Sequence, residues 1–371
     1  KETDMEYGHG GDIYTYKGML DFSVNVNPFG PSEAVLEAAK RGIDKCCAYP
    51  DSQCRALREA LAAKLGVPQE YILPGNGAAD LFFSLVTAER PKKALIPVPA
   101  FSEYEQALRT VDCQIRYYQT EEKENFRLTE RFLEKLTEDL DLVFLCSPSN
   151  PAGQVIPEDL LRRIIRRCGE KKIRLVLDEC FIEFADREKA FYAEGEAENC
   201  PQLFVVRAFT KMHAIPGLRL GYGITSDTEL LERLCRVRQP WSVSIPAQEA
   251  GIAALSEAED LKVEKTRILI RAEREWLEQE LREMGFRVIP SEANFILMYS
   301  SIDLAEGLKE QGILIRDCGN YRGLGKGWYR TAVRLHEENR LLAEALGKIS
   351  EGRDQRKKRS VKEEINERRE Q

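Results

Sequence analysis

Short apolar runs alternate with longer amphipathic segments through the middle of the chain. Between residues 71 and 224, apolar runs such as Leu142–Cys146 and residues 173–177 are separated by helical patterns such as residues 157–168. Apolar strands that alternate with amphipathic helices are typical of a parallel sheet covered on both faces. This part of the chain is therefore predicted to be α/β.

Further amphipathic segments flank this region on both sides. Helices are predicted at residues 32–43 and 54–65, after an extended arm, and a long helix at residues 246–284 is predicted to break near residues 257–261. The apolar runs that follow predict strands and a final helix, at residues 286–289, 295–299, 313–316, 329–335 and 337–349.

The pattern predicts four parts in the chain. They are an N-terminal arm (residues 1–30), a large α/β domain (31–245), a smaller C-terminal domain (246–350) and a charged tail (351–371). The tail carries the run Arg356-Lys357-Lys358-Arg359 and few apolar residues, a composition typical of a solvated segment.

Composition narrows the possible partners. The net charge of -7 argues against nucleic acid or an anionic membrane as a partner, because both repel an acidic protein. No apolar run approaches the roughly 18 residues of a membrane span, and the start has no signal-peptide core, so we expect a cytoplasmic protein. With 3 histidines and no C-x-x-C pair, no metal site is expected.

Lys211 is the strongest single candidate for chemistry. It follows an apolar run and precedes another that starts at Ile215, so partial burial is expected to lower the pKa of its amine. A neutral lysine amine is a nucleophile that condenses with carbonyl groups. Arg219, beyond a Pro-Gly turn, can return a fixed positive charge to the same site for a phosphate.

Two other apolar runs end in polar residues. Asn150 follows the run 142–146, and Asp178 follows the run 173–177. Because ligands in open α/β sheets bind outside the carboxyl ends of the strands, these residues and Lys211 are predicted to share one site. A carboxylate such as Asp178 would keep a pyridine nitrogen protonated, although a strand-end carboxylate and a turn asparagine are also ordinary structural features.

A glycine-rich turn precedes these strands. Gly75-Asn76-Gly77-Ala78 leads into an apolar helical stretch, and the free N–H groups at the start of such a helix suit a phosphate. The turn is common in proteins, and its significance comes from the other residues predicted nearby.

Three motifs in this order carry a resemblance to a known family. They are Asn150-Pro151-x-Gly153, Asp178-Glu179-x-Phe181, and Thr210-Lys211 through Gly217-Leu218-Arg219-x-Gly221-Tyr222. The chain resembles the class I/II pyridoxal-phosphate-dependent aminotransferases over residues 9–346. Segments 9–12, 21–30 and 240–243 are most similar to the branch of that family that decarboxylates L-threonine O-3-phosphate, a relative of the histidinol-phosphate aminotransferases.

The resemblance implies a fold, a cofactor and an assembly. The fold is that of fold type I enzymes, in which helices sandwich a mostly parallel seven-stranded sheet and a smaller α+β domain follows. The cofactor is pyridoxal 5'-phosphate, the substrate is a phosphorylated amino acid, and the assembly is a homodimer.

The resemblance also implies residue roles. Lys211 condenses with the cofactor aldehyde, Asp178 pairs with the ring nitrogen, and Asn150 meets the ring hydroxyl. The remaining cofactor contacts are Phe101, Phe181, Gly75, Asn76, Gly77, Ala78, Thr210 and Arg219, with Tyr49 reaching into the site of the other subunit. The substrate contacts are Arg330 for the carboxylate and His9, Asn25 and Arg316 for the phosphate, together with Asn150. Arg334 is a further candidate grip on the substrate from the sequence alone, although arginines such as Arg316 and Arg334 are also ordinary on a solvated strand face.

Two positions depart from the usual family pattern. Ala208 stands where the family has a hydroxyl three residues before the lysine, so one phosphate hydrogen bond is expected to be missing. Phe181 stands where the aminotransferases of the histidinol-phosphate type have tyrosine, and the decarboxylases have phenylalanine there.

The expected activity is the decarboxylation of L-threonine O-3-phosphate for the nucleotide loop of a cobalamin. Sequence leaves three alternatives open: an aminotransferase that uses 2-oxoglutarate, a serine-phosphate decarboxylase, and a cofactor-binding protein without turnover. The first alternative differs only in which Cα bond breaks, and the second differs by one methyl group, which is worth about 1 to 3 kcal/mol of discrimination.

Overall fold

The structure is a computed structural model that describes residues 8–350. The predicted tail and the first seven residues of the predicted arm lie outside this range. The helices are α1 (Glu33–Asp44), α2 (Arg55–Leu65), α3 (Gly77–Glu89), α4 (Ser102–Arg109), α5 (Glu158–Lys171), α6 (Glu194–Asn199), α7 (Thr228–Val237), α8 (Ile245–Ala254), α9 (Glu257–Glu283), α10 (Leu304–Lys309) and α11 (residues 336–350).

The strands fall into three sheets. They are β1 (Leu20–Asp21), β2 (Ile72–Gly75), β3 (Lys93–Val98), β4 (Gln114–Gln119), β5 (Leu142–Cys146), β6 (Arg174–Asp178), β7 (Leu203–Ala208), β8 (Gly221–Ile224), β9 (Arg287–Ile289), β10 (Phe295–Tyr299), β11 (Ile313–Leu314), β12 (Arg316–Asp317) and β13 (Trp328–Ala332).

The largest sheet has seven strands in the order β2-β8-β7-β6-β5-β3-β4. Strand β8 is antiparallel to both of its neighbours, and the other pairs are parallel. The predicted mostly parallel seven-stranded sheet of a fold type I enzyme is confirmed.

The central strands are apolar throughout because both of their faces are buried. In β5, Val143 and Leu145 pack into a cluster with helices α2, α5 and α8, whereas Leu142 and Phe144 pack into a cluster with α3, α4 and α7. Side chains alternate between the two faces of a strand, so a strand covered on both faces needs a continuous apolar run. This is the pattern seen in the sequence.

A second sheet, of four strands in the order β12-β13-β10-β9, packs against α9 and α11. Its core includes Phe295, Leu277 and Leu346. The predicted long helix is broken, as expected, but two residues earlier than expected, at Leu255 and Ser256 between α8 and α9.

The predicted strand at residues 313–316 is two separate strands. Residues Ile313 and Leu314 pair with Leu20 and Asp21 of the N-terminal arm, and Arg316 pairs with Arg330 of β13. The arm is therefore joined to the C-terminal part of the chain by backbone hydrogen bonds. The domain boundaries themselves remain predictions.

Candidate active site

One cavity of about 260 Å³ lies at the carboxyl ends of β5, β6 and β7. It collects most of the residues that the sequence singled out. The predicted site residues that line this cavity are His9, Asn25, Ala78, Phe101, Asn150, Asp178, Phe181, Thr210, Lys211, Arg219, Arg316 and Arg330. The strands of a parallel sheet end at one edge, and the loops that follow them carry the polar side chains to the same space.

Lys211 lies three residues after the end of β7 and borders the cavity. Burial lowers the pKa of its amine, and the cations Arg330 and Arg219 lower it further, although Cys180 and Asp178 act in the opposite direction. Its Nζ lies 5.4 Å from the ring centroid of Phe181. The amine is thus a better nucleophile at neutral pH than a solvated lysine amine.

Asp178 is the last residue of β6 and is buried. Its Oδ2 accepts a hydrogen bond of 2.5 Å from the Tyr104 hydroxyl, and its Oδ1 accepts one of 2.9 Å from the backbone N–H of Cys180. Burial raises the pKa of Asp178, while these hydrogen bonds and the charge of Lys211 act to lower it. A cationic ring nitrogen at this carboxylate would favour its ionised form.

Tyr104 was not found from the sequence. Its ring is fully buried and stacks on Phe144 with centroids 4.8 Å apart, so its hydroxyl is fixed toward Asp178. Tyr104 lies on α4, which starts directly after Phe101. Tyr104 follows Phe101 by three residues, about one helical turn, and this spacing was the signal available in the sequence.

Asn150 and Arg330 are joined at the centre of the site. Arg330 donates a hydrogen bond through Nη1 to the side-chain oxygen of Asn150 and one of 3.1 Å through Nη2 to the carbonyl of Ser23. Its buried Nε has no hydrogen-bond partner within residues 8–350. This arginine therefore orients Asn150.

The glycine-rich turn packs against Arg219. Gly77 has a φ of +79°, and a Cβ at this position would collide with the Arg219 guanidinium. The backbone N–H of Asn76, expected to face a phosphate, instead donates to Asp80 at 2.9 Å. Arg238 holds the same carboxylate at 2.7 Å, so this part of the turn is fixed by protein contacts.

The N-terminal arm closes one side of the cavity. Nε2 of His9 lies 3.3 Å from Oε1 of Glu103, and Arg316 donates to the carbonyl of Gly8 at 2.6 Å. The buried Asn25 also lines the cavity, and its side-chain oxygen has no partner in the described part of the chain. Glu103 was not found from the sequence, because its partner His9 lies 94 positions earlier in the chain.

Five predicted residues do not line the cavity. Arg334 is not among the residues that line the cavity, because its guanidinium donates to the carbonyl of Asp21 and to Glu338. Tyr49 is 78% exposed and stacks on Trp241, with ring centroids 4.6 Å apart, outside the cavity of its own chain. Gly75, Asn76 and Gly77 are also absent from its lining, although Gly77 packs against the guanidinium of Arg219, which is a lining residue.

The arrangement fits pyridoxal phosphate. An aldehyde needs an amine, a protonated ring nitrogen needs a carboxylate, and a phosphate needs cations with close backbone approach. The cavity brings Lys211, Asp178 and Arg219 together, and the turn that packs against Arg219 has glycine at residue 77, where the backbone φ of +79° disfavours a residue with a side chain. The guanidinium-bearing residue Arg330, which also lines the cavity, further suits an anionic substrate.

Known proteins resemble the chain over most of its length. The family model for aminotransferase class I and II matches residues 17–346. A threonine-phosphate decarboxylase of Salmonella typhimurium is 38% identical over 93% of this chain and 97% of its own. A histidinol-phosphate aminotransferase of Methanosarcina mazei is 35% identical over 89% of this chain and 88% of its own.

Solved structures agree with this. The crystal structure of the histidinol-phosphate aminotransferase from Clostridium acetobutylicum superimposes with a TM-score of 0.83, at 30% identity, over 90% of this chain and 100% of that one. In residues 8–350 no helix has both the length and the apolar composition needed to cross a membrane.

Proposed function

The chain belongs to the class I and II aminotransferase family, and on this premise we propose that it decarboxylates L-threonine O-3-phosphate. The substrate carboxylate leaves as CO2, Cα takes up one proton, and the product is (R)-1-amino-2-propanol O-2-phosphate. We further propose that this product serves the nucleotide loop of a cobalamin. The similarity to the Salmonella typhimurium protein supports the choice of substrate.

The enzymes of this family depend on pyridoxal phosphate, and this chain is one of them. When bound, the cofactor draws away the electron pair that the breaking Cα bond leaves behind. The proposed holders are the residues of the cavity described above, with Asp178 at the ring nitrogen, Asn150 at the ring hydroxyl and Arg219 at the phosphate.

Lys211 has two proposed tasks. Its amine would hold the cofactor aldehyde, and in its free form the amine would carry a proton to or from Cα. Both tasks need a neutral amine for part of the cycle, and burial supplies it by lowering the pKa of Lys211.

Two arginines are the proposed grips on the substrate. Arg330 lines the cavity beside Asn150 and takes the carboxylate, while Arg316 lies on the arm side with His9 and Asn25 and takes the phosphate. A guanidinium suits both groups, because its planar fork matches carboxylate and phosphate oxygens. One molecule that carries both anions is an amino-acid phosphate.

The observation that carries the proposal is the placement of Lys211, Asp178, Arg316 and Arg330 around one cavity. The same arrangement also suits an aminotransferase, which binds a dicarboxylate such as glutamate. The similarity to the histidinol-phosphate aminotransferases favours that second candidate. Phe181 in place of tyrosine favours decarboxylation.

The test is a set of assays on the purified protein loaded with cofactor. The proposal expects CO2 and the amino-alcohol phosphate from L-threonine O-3-phosphate without any oxo acid. Turnover of histidinol phosphate that requires 2-oxoglutarate and yields glutamate would establish the aminotransferase instead. Faster turnover of serine phosphate would change the substrate, and a spectral response without any product would indicate a protein without turnover.

We also propose that the chain works as a homodimer. Tyr49 and Trp241 form a stacked aromatic pair that is largely exposed on one chain, and such a pair suits contact with a second copy. In this assembly Tyr49 reaches the cofactor phosphate of the other subunit. Light scattering of the purified protein tests the assembly, and a monomeric mass would contradict it.

A further inference from the structure

Glu103 is an unexpected side chain in this cavity. It lies in the first turn of α4, borders the cavity, and is only 13% exposed. Its Oε2 accepts a hydrogen bond of 2.9 Å from the Ser102 hydroxyl, and its Oε1 lies 3.3 Å from Nε2 of His9. Both carboxylate oxygens therefore have partners.

The charge of Glu103 is opposite to what the proposed substrate needs. The cavity is otherwise lined by cations, including Lys211, Arg219, Arg316 and Arg330, and its other acidic lining residue in the described chain is Asp178. A carboxylate near a phosphate site repels the ligand unless a cation is paired with it. Burial raises the pKa of Glu103, and the charges of His9 and Lys211 counteract that effect.

The segment that carries His9 is fixed on both sides. Gly8 accepts a hydrogen bond from Arg316, and the N–H of Gly11 donates to the Ser23 hydroxyl at 2.8 Å. At Gly10 a Cβ would lie 2.5 Å from the Ser23 carbonyl oxygen, so a residue with a side chain does not fit there without a shift of the backbone. What remains free in this segment is the direction of the His9 ring.

We propose that Glu103 is a positioning residue that holds the His9 ring over the cavity through Nε2. When the His9 ring carries both protons, Nε2 donates to Glu103 and Nδ1 can donate to the substrate phosphate, so the Glu103–His9 pair presents a donor rather than a negative charge. Carboxylates commonly fix the orientation of a histidine in this way. The inference rests on the proposed function, because it assumes that His9 meets the phosphate.

The test uses Glu103→Gln in the cofactor-loaded protein, which keeps the shape and removes the charge. Loss of one charge-assisted hydrogen bond is expected to raise KM for L-threonine O-3-phosphate about tenfold, with kcat and the cofactor absorbance unchanged. His9→Ala should have a similar effect, and the double variant should be no worse than either, because both changes remove the same contact.

Glu105→Gln is the matched control. Glu105 lies on the same helix and pairs with Arg109 and Arg322. Its replacement should leave KM unchanged. Thermal unfolding of each variant shows whether a rise in KM comes from a folding defect. Glu103→Asp, a milder change, serves the same purpose.

Calorimetric titration with inorganic phosphate separates this inference from the proposed function. If no substrate is decarboxylated but phosphate binds about tenfold more weakly to Glu103→Gln than to Glu105→Gln, only the proposed function fails. If L-threonine O-3-phosphate is turned over and Glu103→Gln has the KM of the unchanged protein, the role of Glu103 is overturned. A lowered kcat at unchanged KM, or additive effects of the two changes, would also overturn it.

Discussion

Arg330 donates a hydrogen bond through Nη1 to the side-chain oxygen of Asn150. The two residues come from β13 and from the loop after β5, and the contact joins the proposed grip on the substrate to a proposed grip on the cofactor. Because the oxygen of Asn150 is occupied, its amide nitrogen is the group left for the ring hydroxyl. Arg330 therefore has a structural task besides substrate binding.

Arg330→Lys tests this double task. A lysine cannot reach Asn150 and Ser23 together while it also holds a carboxylate, since it lacks the planar fork of arginine. We expect kcat/KM for the substrate to fall by about 10- to 100-fold, the equivalent of one or two charged hydrogen bonds. Arg334→Lys, outside the cavity, should have a much smaller effect, and an equal loss in both variants would contradict the assignment.

Ala208→Ser is expected to improve cofactor binding. Ala208 borders the cavity three residues before Lys211, and a serine hydroxyl there can supply a phosphate hydrogen bond that the alanine lacks. A hydrogen bond of this kind is worth about 0.5 to 1.5 kcal/mol, so the Kd of pyridoxal phosphate should fall by about 2- to 10-fold. Fluorescence titration measures it, and an equal gain with pyridoxal, which has no phosphate, would contradict the explanation.

Lys211→Met is expected to stabilise the cofactor-free protein at neutral pH. The pKa of Lys211 is below its usual value of 10.5, chiefly because of burial, so the unfolded chain binds a proton more tightly than the folded chain. The folded state of the unchanged protein therefore loses stability as the pH falls from about 10.5 to the lowered pKa, and it does not regain this stability below that value.

Thermal unfolding across pH measures this effect. At neutral pH the Tm of Lys211→Met should exceed that of the unchanged protein. Each kcal/mol of destabilisation that the substitution removes should raise the Tm by about 1 to 2 °C. The difference should shrink as the pH rises through 10.5, because above that value the lysine is neutral in the unfolded chain as well as in the folded chain. A difference that does not change with pH would show that protonation of Lys211 is not its cause.

Mixed dimers test whether Tyr49 acts across the subunit interface. A dimer of one Lys211→Ala chain and one Tyr49→Phe chain has a single site with both Lys211 and the tyrosine, provided that Tyr49 comes from the other subunit. Equal mixing should then restore about a quarter of the normal activity, because half of the dimers are mixed and each has one intact site. If Tyr49 acts within its own chain, mixing restores nothing.

The sequence was sufficient to place the centre of the site. Asn150, Asp178 and Lys211 each follow an apolar run, and parallel strands bring such positions to one edge. The convergence of these three residues could therefore be predicted without knowing any side-chain contact. The fold class was predictable for the same reason, because strands buried on both faces leave a continuous apolar pattern in the sequence.

Contacts between distant parts of the chain were not predictable. The hydrogen bond from Tyr104 to Asp178 spans 74 positions, and the strand pair of Leu20 with Ile313 joins the two ends of the described chain. No local pattern encodes such partners. The split between β11 and β12 follows from the second pair, since residues 313–314 serve the arm and Arg316 serves β13.

Arg334 shows a limit of strand periodicity. It is four residues after Arg330, and a continuous strand would place both on one face. Strand β13 ends at Ala332, so the alternation no longer applies at Arg334, which contacts Asp21 and Glu338 instead. The predicted strand ran to residue 335, three residues beyond the observed end, and Arg334 does not line the cavity.

The most direct test of the account is to find where the cofactor is attached. The protein is loaded with pyridoxal phosphate, reduced with borohydride, digested and analysed by mass spectrometry, with Asp178→Asn as a comparison. The account predicts a phosphopyridoxyl group on Lys211, and a changed cofactor absorbance in Asp178→Asn before reduction. A modification on another lysine, or an absorbance that does not respond to the loss of the carboxylate, would contradict it.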